Sequence, residues 1–171
     1  DGDMEGLKKI LAYEYAHGIT TYCPTSMTID REELERIFEQ MGDFSEGEQM
    51  AHIAGINMEG PFLDASKKGA HREECIMEPD VDFFRKCNQA CGNRIRLVTL
   101  APNAAGAMEF IRELRDEVTI SLGHTAADYD TVKAALKAGA NHVTHLFNAM
   151  MPLGHRAPGL IGAAAEDESC M

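Results

Sequence analysis

Short β-branched or apolar runs alternate with amphipathic helical stretches along most of this chain, and that alternation constrains its fold more than any other feature. The runs 19–23, 52–58, 95–100, 118–122 and 142–145 read as five strands, the first ending at Pro24, the second running into Glu59 and the third closed by Ala101-Pro102. Helical stripes separate them: Leu34, Ile37, Phe38 and Met41; residues 82–91; Met108, Ile111 and Leu114; and residues 126–138, ending at Gly139. Met4, Leu7, Ile10 and Leu11 mark a further helix face before the first strand, with Gly18 placed as its C′ glycine. Asp30 and Glu33 have the spacing of a capping box. Strands alternating with helices imply an α/β fold with a parallel sheet and right-handed crossovers. Five strands do not close an eight-stranded barrel, so the sheet is either open or part of a barrel. No Gly-x-Gly-x-x-Gly follows the first strand, which removes support for a dinucleotide fold. The stretch from Gly60 to Pro79 is too polar and irregular for a regular element and reads as a functional or disordered loop, and residues 161–165 are too short to classify.

At 171 residues the chain suffices for one domain with a real core. It has no apolar run long enough to span a membrane. Asp1-Gly2-Asp3 has neither the basic nor the apolar region of a secretory signal, and without an initiator Met the chain is expected to begin inside a longer one. A net charge of −12 argues against a nucleic-acid partner, while leaving room for a small phosphorylated ligand held by a few local cations. Cys23, Cys75, Cys87, Cys91 and Cys170 are an odd set without regular pairing, the pattern of free thiols in a cytoplasmic protein. Cys87 and Cys91 read as two residues of one helix rather than as ligands.

Chemistry-bearing residues collect at the strand ends. Glu59 ends the second run, His124 follows the fourth in Ser121-Leu122-Gly123-His124-Thr125, and His145 follows the fifth in Thr144-His145-Leu146-Phe147-Asn148-Ala149-Met150. In a (β/α) barrel such ends meet on one face. Two neutral imidazoles and a carboxylate suit zinc or ferrous iron and leave a position open for water. Each residue alone is weak evidence, and the argument rests on all three. Gly123 allows close backbone approach, and Thr125 is placed as a cap for the next helix. His142, three residues before His145, is expected on the opposite side of its strand, against a helix. His17 and His52 precede strands and are assigned to structure. His71 lies in the long loop, within reach of the pocket. His155 and Arg156 lie in a Pro/Gly-rich tail, where Arg156 is either a solvated arginine or an anion clamp.

Several longer motifs occur in order: Glu59-Gly60-Pro61-Phe62-Leu63, Lys68-Gly69-Ala70-His71, Thr99-Leu100-Ala101-Pro102, the two histidine motifs above, Pro152-Leu153, His155-Arg156 and Pro158-Gly159-Leu160-Ile161-Gly162. Together they closely resemble the N-acetylglucosamine-6-phosphate deacetylase family of the amidohydrolase superfamily. The resemblance implies one divalent metal ion, zinc or iron, on Glu59, His124 and His145. It places Ala70, His71, Asn148, Ala149 and Arg156 against a phosphorylated amino sugar, with His71 polarising the acetyl carbonyl. It implies a (β/α)8 TIM-type barrel, of which residues 1–171 form a single catalytic-barrel fragment of about strands two to six, the flanking strands and a small β domain being absent. The family's catalytic aspartate is expected downstream of Met171, so the implied hydrolysis of N-acetylglucosamine 6-phosphate to glucosamine 6-phosphate and acetate is expected of the intact enzyme and not of this stretch. Asn103 stands where many members have Glu, and Asp64 where Asn is common. Unpaired sheet edges invite pairing with another copy, so a homo-oligomer is expected.

Overall fold

The computed structural model describes residues 2–171. Helix α1 (Met4–Ala16) precedes strands β1 (Thr21–Tyr22) and β2 (Thr25–Ser26), followed by α2 (Arg31–Gly42), β3 (His52–Ile53) and β4 (Ile56–Glu59). Two 3₁₀ turns, Ala65–Lys67 and Glu73–Cys75, lead to α3 (Val81–Ala90) and β5 (Ile95–Leu100). Then come α4 (Ala107–Leu114), β6 (Thr119–Leu122), α5 (Tyr129–Ala138), β7 (His142–Val143) and α6 (Gly159–Ala165).

All pairings are parallel, in the order β2-β4-β5-β6-β7, and β1 pairs with β3 at the start of the same two chain paths. Each chain path therefore lies beside the next, and α2 to α6 contact one another in the same sequence. A doubly wound sheet would reverse its strand order at a switch point. This sheet does not, and its single winding is the arrangement a (β/α)8 barrel uses.

Pleat alternation divides the strand residues between two faces. Ile56, Met58, Val98, Leu100, Ile120 and Leu122 pack with Leu34, Phe38, Phe84, Phe110 and Leu136 of the helices in the buried core. The alternate residues are mostly polar. Glu59, Thr99, Ser121 and His142 pair in one row across β4 to β7. His142 thus faces the inner side of the sheet, bonded to Ser121 at 2.8 Å, and not a helix. The expectation failed because β7 ends at Val143, so strand periodicity does not extend to His145.

Other departures are local. The first strand resumes after Pro24, whose carbonyl still accepts from the Asn57 N–H at 3.0 Å. Asp30 makes no side-chain cap for α2; its carboxylate lies 3.6 Å from Arg72 instead. Helix α5 starts at Tyr129, capped by Asp128 through the Thr131 N–H at 2.8 Å, while the Thr125 hydroxyl accepts from the Ala127 N–H in the lead-in turn. Residues 161–165 belong to α6. The long loop is ordered through its own apolar anchor: Phe62 is buried, 6.4 Å from the ring of Phe83 and 5.1 Å from that of Phe110. No helix among the described residues is long and apolar enough to cross a membrane. The five cysteines are free, and burial pushes the Cys87 thiol up to about 12.

Candidate metal centre

Three chain turns bring the candidate ligands together. Glu59 is the last residue of β4, and Gly60 turns the chain at φ +74°, where an added Cβ would stand 2.2 Å from Thr28 Oγ1. Gly123 continues the inner face of β6; a Cβ there would lie 3.0 Å from Thr144 Cβ and 3.1 Å from Thr99 Cγ2. His124 and His145 then leave their strands at φ +46° and +33°. Positive φ is costly for such residues, on the order of 1–3 kcal/mol each, and persists only where the surroundings impose it.

Hydrogen bonds of the far ring nitrogens set the imidazole tautomers. His124 Nδ1 lies 2.9 Å from the Lys67 carbonyl and His145 Nδ1 3.1 Å from the Asn148 carbonyl. A carbonyl only accepts, so each Nδ1 carries the proton and each Nε2 turns a lone pair inward. These lone pairs meet the Glu59 carboxylate: His124 Nε2 is 2.9 Å and His145 Nε2 3.5 Å from Glu59 Oε1, and the two Nε2 atoms are 3.0 Å apart. Three acceptors this close repel one another unless a cation, either a proton or a metal ion, lies among them.

His71 has the opposite polarity. Its Nδ1 accepts from the Thr28 N–H at 3.1 Å, which places the ring proton on Nε2, 3.4 Å from Glu59 Oε1. Ligand atoms of Glu59, His71 and His124 also lie within 4.8 Å of one another, a second geometrically possible trio. The tautomers favour the first trio, since His71 presents a donor where a metal needs a lone pair. Hydrogen bonds from His124, when its Nε2 is also protonated, and from His71 hold the Glu59 carboxyl well below the usual carboxylate range, against the opposing effect of burial. Burial, the largest single effect, disfavours charged His124, but the bonds to Glu59 and the Lys67 carbonyl and the Glu59 charge together outweigh it and raise the pKa above the ordinary 6.5. His142, without such a partner, is lowered by burial.

The remaining expected residues are dispersed. Ala70 and Asn148 are exposed, and Ala149 is half-buried at φ +52°, its carbonyl accepting from the Thr125 N–H at 3.1 Å. Arg156 lines an open cavity of about 470 Å³ with Asp128, Tyr129, Met151 and Pro158, a cavity that none of Glu59, His124 and His145 lines. His17 caps the end of α1, and His52 lies on β3, 3.4 Å from Glu46; neither reaches the cluster. Sequence reasoning missed the partners that orient the rings, Thr28, Lys67 and the Asn148 carbonyl, because main-chain groups carry no side-chain signal. It also missed the buried ladder of Asn57, Thr99, Thr144, Ser121 and His142. The alternation of Asn57, Thr99 and Ser121 with apolar neighbours was the available clue.

No protein-family model matches the chain. It is 38% identical to the N-acetylglucosamine-6-phosphate deacetylase of Bos taurus over 89% of its own length, and 40% identical to that of Bacillus subtilis over 86%. Its backbone superposes on the crystal structure of the Mycobacterium smegmatis enzyme with a TM-score of 0.91 and 34% identity, covering 99% of this chain and 44% of that one. The chain resembles a stretch of N-acetylglucosamine-6-phosphate deacetylase. It spans 38% of the length of each of those two curated relatives. A mutant of the Mycobacterium smegmatis deacetylase, solved in complex with N-acetyl-D-glucosamine-6-phosphate, matches with a TM-score of 0.87 and 36% identity. The deacetylases that the chain resembles are hydrolases acting on an amide.

Proposed function

We propose that the protein containing this chain hydrolyses the acetamide of N-acetylglucosamine 6-phosphate to glucosamine 6-phosphate and acetate, using one divalent metal ion, zinc or iron, held by Glu59, His124 and His145. The observation that carries the reading is the set of three inward-facing lone pairs, two of them oriented by carbonyls of the chain itself. When bound, such an ion supplies Lewis-acid chemistry, lowering the pKa of a coordinated water toward about 7 and polarising an acyl carbonyl. His71 Nε2–H, 3.4 Å from Glu59 Oε1, would turn from that carboxylate to the acetyl oxygen as negative charge develops, and one such donor is worth about 3 kcal/mol. On the resemblance, we assign Ala70, Asn148 and Ala149 to contacts with the amino sugar, and the Arg156 guanidinium suits the planar bidentate recognition of a phosphate.

A base must also take a proton from the attacking water and return one to the leaving amine. Among the described residues, Glu59 is the only carboxylate bonded to the three imidazoles. We therefore assign that base to a segment outside residues 1–171, a single catalytic-barrel body, and expect no useful turnover from this stretch alone. The edge strands β2 and β7 each have one neighbour in the sheet, and Leu146, Phe147, Met151 and Leu153 are exposed beyond β7. Further chain or a second copy would cover them, and a homo-oligomer fits this. The free cysteines fit a cytoplasmic location.

The test is equilibrium zinc binding by the chain together with acetate release by the full-length protein. Glu59→Gln and His145→Ala should lose zinc, whereas His71→Asn should keep zinc and lose turnover. Loss of zinc from the His71 variant equal to that from the His145 variant would place His71 among the ligands instead.

A further inference from the structure

One loop segment, Asp64 to Lys67, grips His124 from two sides. The Asp64 N–H donates to the His124 carbonyl at 3.0 Å. The Asp64 carbonyl accepts from the Lys67 N–H at 2.9 Å, closing the turn Ala65–Lys67. The Lys67 carbonyl at the end of that turn accepts the His124 Nδ1 proton at 2.9 Å. Main chain and ring of the same histidine are thus tied to one four-residue stretch.

The Asp64 carboxylate shapes that stretch and joins it to two further loops. Its Oδ1 accepts from Ser66 N at 2.8 Å and from Ser66 Oγ at 2.7 Å. Its Oδ2 accepts from Asn103 Nδ2 at 2.7 Å, in the loop after β5, and from Ala126 N at 3.2 Å, in the loop after β6. Asn103 continues the chain of bonds, its amide oxygen accepting from Thr125 Oγ1 at 2.5 Å. A carboxylate offers about four lone-pair sites, and here all are used. Asp64 has no lone pair left with which to serve as a base, and its bonds fix geometry.

We propose that Asp64 is a positioning residue for His124: paired with the Asn103 amide, it locks three loops so that Lys67 holds His124 with Nε2 facing the candidate metal position. The consequence for metal binding rests on the proposed centre, while the orientation of His124 does not. Outer partners of this kind typically carry about 10–100-fold in metal affinity.

The experiment uses the full chain with four variants, reading the His124 tautomer by ¹⁵N NMR without metal and zinc affinity by chelator competition. Asp64→Ala should lose the Nδ1–H tautomer of His124 and bind zinc about 10–100-fold more weakly. Asn103→Asp should do the same by setting two carboxylates against each other, and Asp64→Asn should fall between. The reciprocal exchange Asp64→Asn with Asn103→Asp restores a carboxylate–amide pair, sacrificing only the Ala126 bond, and should recover most of both losses. Wild-type tautomer and wild-type affinity in Asp64→Ala overturn the proposal. If Asp64→Ala does not fold, a reciprocal exchange no better than Asn103→Asp alone overturns it. A wild-type chain that binds no zinc, yet shows the tautomer change, would sink the metal reading and leave the positioning role standing.

Discussion

Replacing Thr144 with valine removes one oxygen from the centre of a buried chain of hydrogen bonds while keeping the side-chain shape. The bonds run in one direction. Thr99 donates to Asn57 Oδ1 at 3.4 Å, so its oxygen accepts from Thr144 at 2.7 Å. Thr144 in turn accepts from Ser121 at 2.6 Å, and Ser121 from the His142 Nδ1–H at 2.8 Å. Thr99, Thr144 and Ser121 are all buried, so water does not replace what is lost. The valine variant forfeits two bonds, leaving the Ser121 proton and a Thr99 lone pair without partners, and opens no cavity. At about 0.5–1.5 kcal/mol net per bond, the loss should be about 1–3 kcal/mol. For a chain of this size each kcal/mol is worth about 2–4 °C in Tm. Urea melts should therefore show a lower midpoint with an unchanged slope, and ¹⁵N NMR should show His142 released from its single tautomer. Thr144→Ser, which keeps the oxygen, should retain most of the stability. A valine variant that melts with the wild type and keeps the His142 tautomer would refute the directional ladder.

Zinc and protons compete for the same lone pairs, and the raised His124 pKa means that zinc affinity should begin to fall with decreasing pH while still above the ordinary imidazole value of 6.5, as a pH series of binding titrations would show. Stability of the metal-free chain carries the opposite sign: His124 contributes stability that is fully present below 6.5 and is lost as pH rises through its folded value. Arg156→Ala in the full-length protein should raise KM for the phosphorylated sugar much more than for its unphosphorylated counterpart; equal losses would make the arginine structural. Phe110→Ala removes a buried ring 5.1 Å from Phe62 and 5.9 Å from Phe84, and urea melts should show a loss of about 3–5 kcal/mol. A loss below about 1 kcal/mol would show that the long loop does not depend on this aromatic cluster.

The alternation of strand and helix was legible because burial against helices demands an apolar residue at every second strand position, as in Met58, Val98, Leu100, Ile120 and Leu122. Element ends were less legible. The start of α5 depends on whether Thr125 or Asp128 makes the cap bond, and both have suitable oxygens. Glu59, His124 and His145 were legible as strand ends, but His71 was legible only from its motif, because its role depends on the Thr28 N–H more than forty positions away in the chain. His142 was misplaced for the same reason: the period of a strand says nothing once the strand has stopped.

Backbone strain and candidate chemistry coincide. Of the six non-glycine residues at positive φ among those described, His124, His145, Phe147 and Ala149 lie in the two loops after β6 and β7. Neither loop has a large apolar anchor of its own at the strained positions, since Phe147 is exposed. What holds them is polar: the Thr125 N–H bonds to the Ala149 carbonyl, Thr125 pairs with Met150, and the His145 and Asn148 main chains bond to each other. Helix-facing apolar residues can tolerate repacking, because burial is not directional. The inner face cannot, because His124 and His145 are each oriented by one carbonyl and each carbonyl is held by one turn. Substitutions that move the Lys67 or Asn148 carbonyl should therefore disturb the centre as much as loss of a neighbouring polar side chain, although neither carbonyl belongs to a residue whose own side chain touches the three inward-facing lone pairs.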